Sequence, residues 1–250
     1  MHRNWPDETT EEMLLAMPGP VALVGSGEYL PAMAALEAGL ISGRPSRYVQ
    51  LPTAAGMESP GSIARWIALG ADQAARLGVE AVPVKALDRA SAEDAANAKQ
   101  IKGAGLIYLS GGNPAYLADT LRGTLVWSAI LEEWQKGAAL AGCSAGAMAL
   151  TGRVPNIRRP EAEPREGLGA VPKLWVLPHF DRLQEWAPGA AEVVTAQVPA
   201  GMALIGIDEE TAIVADGNDL SRWVVHGRQS VWVSGADGWK SFRAGGELFV

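Results

Sequence analysis

A short run of small residues around a serine is the first feature of this sequence that could perform chemistry. Gly142-Cys143-Ser144-Ala145-Gly146 matches the G-x-S-x-G pattern of a nucleophile elbow, where a serine sits on a tight turn between a strand and a helix. The apolar residues 139–141 can form that strand, and residues 145–150 can begin the helix. In a purely structural interpretation, the serine would only cap the helix. The flanking pattern favours chemistry, and we predict that Ser144 is a nucleophile.

Cys143 is a rival nucleophile because a thiol stands directly beside the serine. Side chains alternate between the two faces of a strand, so neighbouring residues at a strand end point in different directions. If Ser144 points into a cleft, Cys143 points away from it. We expect a buried thiol that takes no part in the reaction.

A serine hydroxyl needs a neighbouring base, and the sequence offers three histidines. His179 follows the apolar segment 174–178 and is expected at a strand end. His2 lies near the polar amino terminus, and His226 precedes a glycine in a predicted hairpin turn. His179 is therefore the preferred base, although a structural role for it is an alternative.

A third group should orient the imidazole and stabilise its charged form. Asp181 stands two residues after His179, while Asp208, Glu209 and Glu210 follow the apolar segment 203–207. Acidic side chains at a strand end can also be simply solvated. Spacing alone does not choose among these four carboxylates.

An oxyanion hole requires two converging N–H donors. The amide of Ala145 directly follows the proposed nucleophile and is one natural donor. Gly111 or Gly112 could supply the second donor, because glycine allows the backbone to approach a substrate closely. The same glycines could instead serve only a tight turn.

Apolar segments of two kinds alternate along the chain and must position these groups. The predicted elements are strand 21–24, strand 48–51, helix 62–77, strand 79–84, helix 90–101, strand 105–109, helix 125–136 and strand 138–142. This alternation predicts an α/β fold with a mainly parallel sheet and helices on both faces. Residues 151–172 predict a long loop, and short strands after residue 202 predict an antiparallel extension of the sheet at the carboxyl terminus.

Three glycine-containing turns, at 25–27, 110–113 and 142–146, follow predicted strands. Ligands of open α/β sheets bind at the carboxyl ends of the strands, where these turns should meet. Gly25-Ser26-Gly27 lacks the third glycine of a dinucleotide motif, because Leu30 occupies that position. No nucleotide or other cofactor is expected.

Length and composition limit the class of protein. The 250 residues suffice for one large domain, predicted over 19–250 after a loose lead-in over 1–18. A net charge of -7 makes nucleic acid a poor partner. A single cysteine and three histidines exclude an internal disulfide and make a metal site improbable. No apolar stretch resembles a signal peptide or membrane span, so a cytoplasmic location without membrane contact is expected.

Five segments resemble peptidase family S51, which includes aspartyl dipeptidase and cyanophycinase and has a fold similar to class I glutamine amidotransferases. They are Gly25-Ser26-Gly27-Glu28, Leu109-Ser110-Gly111-Gly112-Asn113, Gly142-Cys143-Ser144-Ala145-Gly146-Ala147, Pro178-His179-Phe180-Asp181 and Gly206-Ile207-Asp208-Glu209-Glu210-Thr211-Ala212. They occur in the family's order, from about residue 21 to residue 214.

The resemblance implies that Ser144 is the nucleophile, His179 the base, and Gly112 with Ala145 the oxyanion donors. It favours Glu209 as the third triad member, with Asp181 second. It also suggests a homodimer and a small, acidic peptide as substrate. The same segments supply Asn113 and Gly27 as further substrate-binding candidates, and Arg182, the residue after Asp181, is a third.

Two positions depart from the family's pattern. Pro114 stands where members often have glutamine, and only Arg182 follows closely where characterised members tend to have several arginines. An arginine fork is the natural partner of a substrate carboxylate, so the substrate stays open. The arginines of the long loop could substitute, although charged loop residues are usually solvated; they are Arg153, Arg158, Arg159 and Arg165.

Three functions are compatible with these patterns. The first is a serine exopeptidase or dipeptidase with a Ser-His-Glu/Asp triad. The second is an esterase of the α/β-hydrolase type, whose Ser, acid, His order would be met by Ser144, Asp208 and His226. The third is a non-catalytic relative that binds a small molecule. The absence of a His-Gly-Gly segment upstream favours the peptidase over the esterase.

Overall fold

The computed structural model describes residues 17–250. Most of the lead-in predicted over residues 1–18, including His2, lies outside the described residues. The described chain folds into strands and helices that alternate as far as residue 150 and are mainly strands after residue 202.

Fourteen strands occur in the described residues. They are β1 (Val21–Val24), β2 (Arg47–Leu51), β3 (Glu80–Pro83), β4 (Leu106–Leu109), β5 (Ala139–Cys143), β6 (Arg153–Val154), β7 (Arg165–Glu166), β8 (Leu174–Pro178), β9 (Ala203–Ile207), β10 (Thr211–Asp216), β11 (Asp219–Gly227), β12 (Ser230–Gly235), β13 (Gly238–Arg243) and β14 (Glu247–Phe249).

Nine α-helices occur in the same residues. They are α1 (Ala34–Ile41), α2 (Pro60–Leu77), α3 (Arg89–Ala92), α4 (Ala95–Ile101), α5 (Pro114–Leu121), α6 (Leu125–Gln135), α7 (Ala145–Leu150), α8 (Phe180–Trp186) and α9 (Ala190–Gln197). Two short 3-10 turns, Pro31–Met33 and Thr53–Ala55, complete the set.

The main sheet has eight strands in the order β14-β11-β10-β1-β5-β4-β2-β3. The five strands from β1 to β3 run parallel, and β10, β11 and β14 extend the sheet antiparallel beyond β1. Val21 and Leu23 pack into one core and Ala22 and Val24 into the other, so both faces of the sheet are buried. The predicted α/β class, mainly parallel sheet and antiparallel carboxyl-terminal strands are confirmed.

A second sheet of four strands, in the order β13-β12-β9-β8, is the main difference from the sequence prediction. The strands corresponding to β9 and β12 were expected to extend the main sheet, whereas segment 174–178 was expected to be a strand without an assigned neighbour. Alternating apolar residues identify a strand but do not specify which strand will be its neighbour. The two sheets share one hydrophobic core, which includes Leu140 of β5 and Val176 of β8.

Two short helices replace the single helix predicted over 90–101. Asp88 caps α3 through a capping box with Ser91, and Asp94 caps α4 by accepting a hydrogen bond from the Ala96 amide at 2.8 Å. Ser91 itself lies inside the first helix. Two competing capping residues six positions apart therefore divide the segment.

The predicted loop over 151–172 contains a small antiparallel pair, β6 and β7. Its second strand is attached to α5, because Arg165 pairs with Asp119 and Arg122 lies 3.8 Å from the Glu166 carboxylate. Arg165 is thus engaged in an ion pair within the protein. No helix among residues 17–250 combines the length and the apolar character needed to cross a membrane.

A buried carboxyl group on α1 makes the stability of the protein depend on pH. Glu37 has no exposed surface, and the Tyr48 hydroxyl donates a hydrogen bond to its Oε2 at 2.9 Å. Burial raises the pKa of Glu37 from 4.5 to about 7. Between these two values the unfolded chain releases the proton while the folded protein retains it, so the free energy of unfolding falls as pH rises and levels off above about 7.

We therefore expect Glu37→Gln, which cannot ionise, to be less destabilised by raising the pH than the wild type. The free energy of unfolding of Glu37→Gln, relative to that of the wild type, should rise by roughly 3 kcal/mol from about pH 4.5 to about pH 8. Urea denaturation of both proteins across this range measures it. Parallel pH profiles for the two proteins would contradict the assignment of Glu37 as a buried, proton-retaining group.

Candidate active site

The turn between β5 and α7 carries Ser144. Its backbone has φ 49° and ψ -106°, a combination that L-residues rarely adopt. A Cβ at Gly142 would lie 2.5 Å from the Gly146 backbone, and one at Gly146 would lie 2.2 Å from the Leu109 carbonyl oxygen. Small residues are thus required on both sides of the serine, as the elbow motif predicted.

His179 contacts Ser144 from the second sheet. It follows β8 and precedes α8, and its Nε2 lies 3.0 Å from Ser144 Oγ. Its Nδ1 lies 2.9 Å from Oε1 of Glu209. Serine, imidazole and carboxylate therefore form one continuous series of hydrogen-bond distances. The side chains of His179 and Glu209 are 30% and 41% exposed, so the site is open to substrate.

Strand register explains why the histidine and the glutamate meet. β8 and β9 are parallel neighbours in which Pro178 pairs with Ile207. The segments after them leave the same end of the second sheet. Residues 208–210 also connect β9 in the second sheet to β10 in the main sheet, so Glu209 lies on the connection between the two sheets.

Backbone strain is concentrated around this site. The non-glycine residues with positive φ within residues 17–250 are Tyr29, Ser144, His179 and Glu210. Two belong to the proposed triad, one is adjacent to Glu209, and Tyr29 reaches the neighbouring loop through a 2.6 Å hydrogen bond to Ser110 Oγ. Unfavourable backbone conformations persist where the surrounding structure holds them, and they gather at functional sites.

Asp181 does not contact the imidazole in the described structure. Its Oδ1 accepts a hydrogen bond from the Glu209 amide at 2.9 Å, and its Oδ2 accepts one from Gln229 Nε2 at 3.1 Å. The side chain therefore holds the backbone of the residue that does contact His179. Glu210 points away as well, because it pairs with Arg228 at 2.7 Å.

The alternative triad of Ser144, Asp208 and His226 is not assembled. Asp208 is buried and accepts hydrogen bonds from the Ser230 amide at 3.1 Å and from Trp232 Nε1 at 3.0 Å. Burial raises the pKa of Asp208. His226 lies on β11 opposite Ala212, and burial lowers its pKa. Ser144 is in contact with His179 instead, so the geometry does not support the esterase arrangement.

The loop after β4 presents one amide that the protein does not use. Ser110 N–H donates to the Leu51 carbonyl, Gly111 N–H to Glu28 Oε1 at 2.8 Å, and Asn113 N–H to the Ala54 carbonyl at 2.9 Å. Within the described part of the chain, only Gly112 N–H in this loop lacks an acceptor. Position 112 requires glycine, because its φ is 135° and a Cβ there would lie only 2.6 Å from the Ala54 backbone. The Ala145 amide stands at the first position of α7, where no intrahelical acceptor exists.

Asn113, Gly27 and Arg182 have structural contacts of their own. Asn113 Oδ1 caps α5 by accepting from the Tyr116 amide at 3.0 Å, with Pro114 at the first helical position. This cap explains the Asn-Pro pair, because proline is favoured there. Gly27 has φ 88°, and a Cβ there would lie 3.2 Å from Glu210 Cγ. Arg182 pairs with Glu185 at 2.8 Å on the surface of α8.

Cys143 is fully buried, and its thiol donates to Glu28 Oε2 at 2.9 Å. Burial, together with the negative charge of Glu28, raises the pKa of the thiol well above its usual range. A protonated, buried thiol is a poor nucleophile, in agreement with the expectation from strand alternation. In the sequence, Glu28 stands out only as the last residue of the segment Gly25-Ser26-Gly27-Glu28, which indicates no role for it. Its one available signal was an acidic residue directly after a glycine turn at a strand end.

A metal centre has no obvious location in this structure. Among residues 17–250, no group of three or more His, Cys, Asp or Glu side chains is placed to hold an ion.

Comparison with known proteins identifies the family of this chain. Residues 21–223 match the model of Peptidase family S51, and the chain belongs to this family. A peptidase from an acI-B1 Actinobacterium is 42% identical, with a TM-score of 0.87 over 94% of this chain and 98% of that one. The family resemblance inferred from the motifs is confirmed, and the family and this relative support a hydrolase of the peptidase class.

A second solved structure, a putative Peptidase E protein from Listeria monocytogenes EGD-e, shares the fold. It is 20% identical, with a TM-score of 0.63 over 85% of this chain and 100% of that one. No curated protein matches the chain significantly.

Proposed function

We propose that this protein is a serine-type peptidase with Ser144 as nucleophile, His179 as general base and Glu209 as the third triad member. The observation that carries the proposal is the unbroken series from Ser144 Oγ through the imidazole to the Glu209 carboxylate. Elbow strain at Ser144 and the family assignment support it. The non-catalytic alternative gives no reason for such an arrangement.

The reaction follows from the positions of these atoms. His179 Nε2 takes the proton of Ser144 Oγ as the oxygen attacks the scissile carbonyl, and Glu209 stabilises the imidazolium at Nδ1. The C–N bond then breaks, and the same proton passes to the leaving amine. Water, deprotonated by His179, attacks the acyl-enzyme and releases the second product together with the free serine.

Two backbone amides are proposed to bind the oxyanion that forms in each step. Gly112 N–H has no acceptor within the described chain, and Ala145 N–H points from the start of α7. Donors that are fixed before the reaction need no reorganisation when charge develops, which is why such amides contribute strongly to catalysis.

Small acidic peptides, cleaved by exopeptidase or dipeptidase action, are the proposed substrates. Arg182 lies in the first turn of α8, the helix that begins directly after His179. Its partner Glu185 is on the surface. An exposed pair of this kind contributes little stability, so a substrate carboxylate can replace Glu185. Asn113 and Gly27 lie in the turns that follow β4 and β1 of the main sheet. The homodimer, the cytoplasmic location and the single domain over 19–250 stay predictions.

A dipeptide library together with small acyl esters tests the proposed function. Cleavage of acidic dipeptides by the wild type that disappears in Ser144→Ala would support the peptidase and its substrate class. Cleavage of neutral dipeptides alone would retain the mechanism and reject acidic specificity. Ester hydrolysis without amide hydrolysis, or dipeptide hydrolysis that survives in Ser144→Ala, would reject the proposal.

A further inference from the structure

We propose that Glu28 is a positioning residue that fixes the orientation of the Gly112 amide in the oxyanion hole. This inference rests on the proposed function, because it assigns a role within the same site. Glu28 lies in the turn after β1, and neither the triad nor the substrate contacts described above include it.

The order of the main sheet places Glu28 where it can join separate parts of the site. β5, which presents Ser144, is flanked by β1 on one side and by β4 on the other. From the β1 side, Glu28 Oε1 accepts from Gly111 N–H at 2.8 Å, in the loop that follows β4. Its Oε2 accepts from the Cys143 thiol at 2.9 Å, at the end of β5. One carboxylate, carried by the turn after β1, therefore contacts both the end of β5 and the loop after β4.

The Gly111 hydrogen bond controls the next amide along the chain. Gly111 N–H is held by Glu28, and Asn113 N–H is held by the Ala54 carbonyl. Gly112 N–H lies between these two fixed amides. Glycine pairs are otherwise among the most freely rotating stretches of backbone, so two anchors remove a freedom that would move the donor away from the oxyanion.

The Glu28 carboxylate is closely packed against the loop after β4, with no room for a side chain at position 111. A Cβ at Gly111 would lie 2.6 Å from Glu28 Oε1 and 3.6 Å from Ser144 Cβ. The carboxylate, the loop and the nucleophile thus occupy one small volume. Any side chain at position 111 would displace Glu28.

Tyr29 secures the same turn from the next position. It is buried, its φ is 67°, and its hydroxyl lies 2.6 Å from Ser110 Oγ. Two consecutive residues of the β1 turn therefore bind two consecutive residues of the β4 loop. A strained backbone at Tyr29 is maintained by these contacts, as expected for a turn that must hold one geometry.

The charge of Glu28 distinguishes positioning from electrostatic catalysis. A negative group close to a developing oxyanion opposes the reaction, so the carboxylate does not assist through its charge. Its useful property is an acceptor oxygen at a fixed place. Glutamine supplies an oxygen of the same geometry without the charge.

The test compares kcat and KM of the wild type, Glu28→Ala and Glu28→Gln on a substrate that the wild type hydrolyses. We expect Glu28→Ala to lower kcat by about 10- to 100-fold, which is less than the loss of a whole oxyanion donor, with KM within about threefold. Glu28→Gln should recover kcat to within about threefold of the wild type. Glu80→Ala, which removes a surface carboxylate on β3, is the matched control and should not change either constant.

A tetrahedral inhibitor supplies a readout that a merely structural role would not move. A peptide boronic acid that adds to Ser144 should bind Glu28→Ala about 10- to 100-fold more weakly, in parallel with kcat, while the substrate KM stays unchanged. If Glu28→Ala does not fold, as judged by circular dichroism, Glu28→Asp replaces it, because the shorter side chain cannot reach both partners. The same separation of kcat from KM is then expected.

Several outcomes would overturn the inference. They are wild-type kcat in Glu28→Ala, a loss confined to KM, or a loss in Glu28→Gln as large as that in Glu28→Ala. Ser144→Ala measured alongside separates this failure from failure of the proposed function. Activity in Ser144→Ala would reject the triad itself, whereas an inactive Ser144→Ala beside a fully active Glu28→Ala would reject only the role of Glu28.

Discussion

Ser144→Ala is expected to lower kcat by about 10⁴- to 10⁶-fold while the protein stays folded. Alanine removes the oxygen that attacks the carbonyl and leaves the imidazole without its proton donor. The elbow itself should persist, because its close contacts involve Gly142 and Gly146 rather than the serine side chain. Steady-state kinetics with thermal melting of the variant measures both parts of the prediction.

Cys143→Ala is the matched control for this experiment. The thiol is adjacent to Ser144 in sequence but buried on another side of the strand, where it donates to Glu28. We expect the variant to retain most of the activity, since the Gly111 bond to Glu28 does not depend on the thiol. A severe loss in folded Cys143→Ala together with activity in Ser144→Ala would identify the cysteine as the nucleophile.

Glu209→Gln is expected to lower kcat by about 10²- to 10⁴-fold. In the proposed mechanism, the carboxylate accepts the Nδ1 proton of His179 and leaves Nε2 free to receive the proton of Ser144. A glutamine amide at this position can donate to Nδ1 instead and stabilise the tautomer that cannot act as a base. Kinetic constants of the variant, with circular dichroism to verify folding, test this prediction.

Asp181→Asn provides the comparison that distinguishes the two acidic candidates. Asparagine keeps an acceptor for the Glu209 amide, so we expect a loss of about tenfold or less. If Asp181→Asn were more damaging than Glu209→Gln, Asp181 would be the functional partner of the imidazole, and the geometry assigned to Glu209 would be wrong.

Local sequence patterns predicted the main sheet because its strands are short apolar runs buried on both faces. β1 illustrates this, since all four of its residues are fully buried and contribute alternately to two separate hydrophobic clusters. The second sheet was not predicted, because the choice of partner for β8, β9 and β12 depends on contacts between distant segments. The division of the 90–101 segment was missed because Asp88 and Asp94 both compete as helix caps.

The parts of the site differ in the same way. The elbow at Ser144 could be recognised because its requirements lie within five consecutive residues. Choosing Glu209 over Asp181 and Asp208 requires the register in which Pro178 meets Ile207, which no local pattern contains. Family resemblance favoured Glu209 without that register, and the geometry now supplies a physical reason for it.

The proposed active site spans two sheets: Ser144 follows β5 of the main sheet, His179 follows β8 of the second sheet, and Glu209 lies on the connection between the two. The distance from Ser144 to His179 therefore depends on how the two sheets pack against each other through the core that contains Leu140 and Val176. A small slip between the layers would separate the serine from its base while leaving every strand intact. We therefore expect substitutions in the shared core, far from the substrate, to lower turnover without unfolding the protein. Turnover would respond to such a shift, whereas a spectroscopic signal of secondary structure would not.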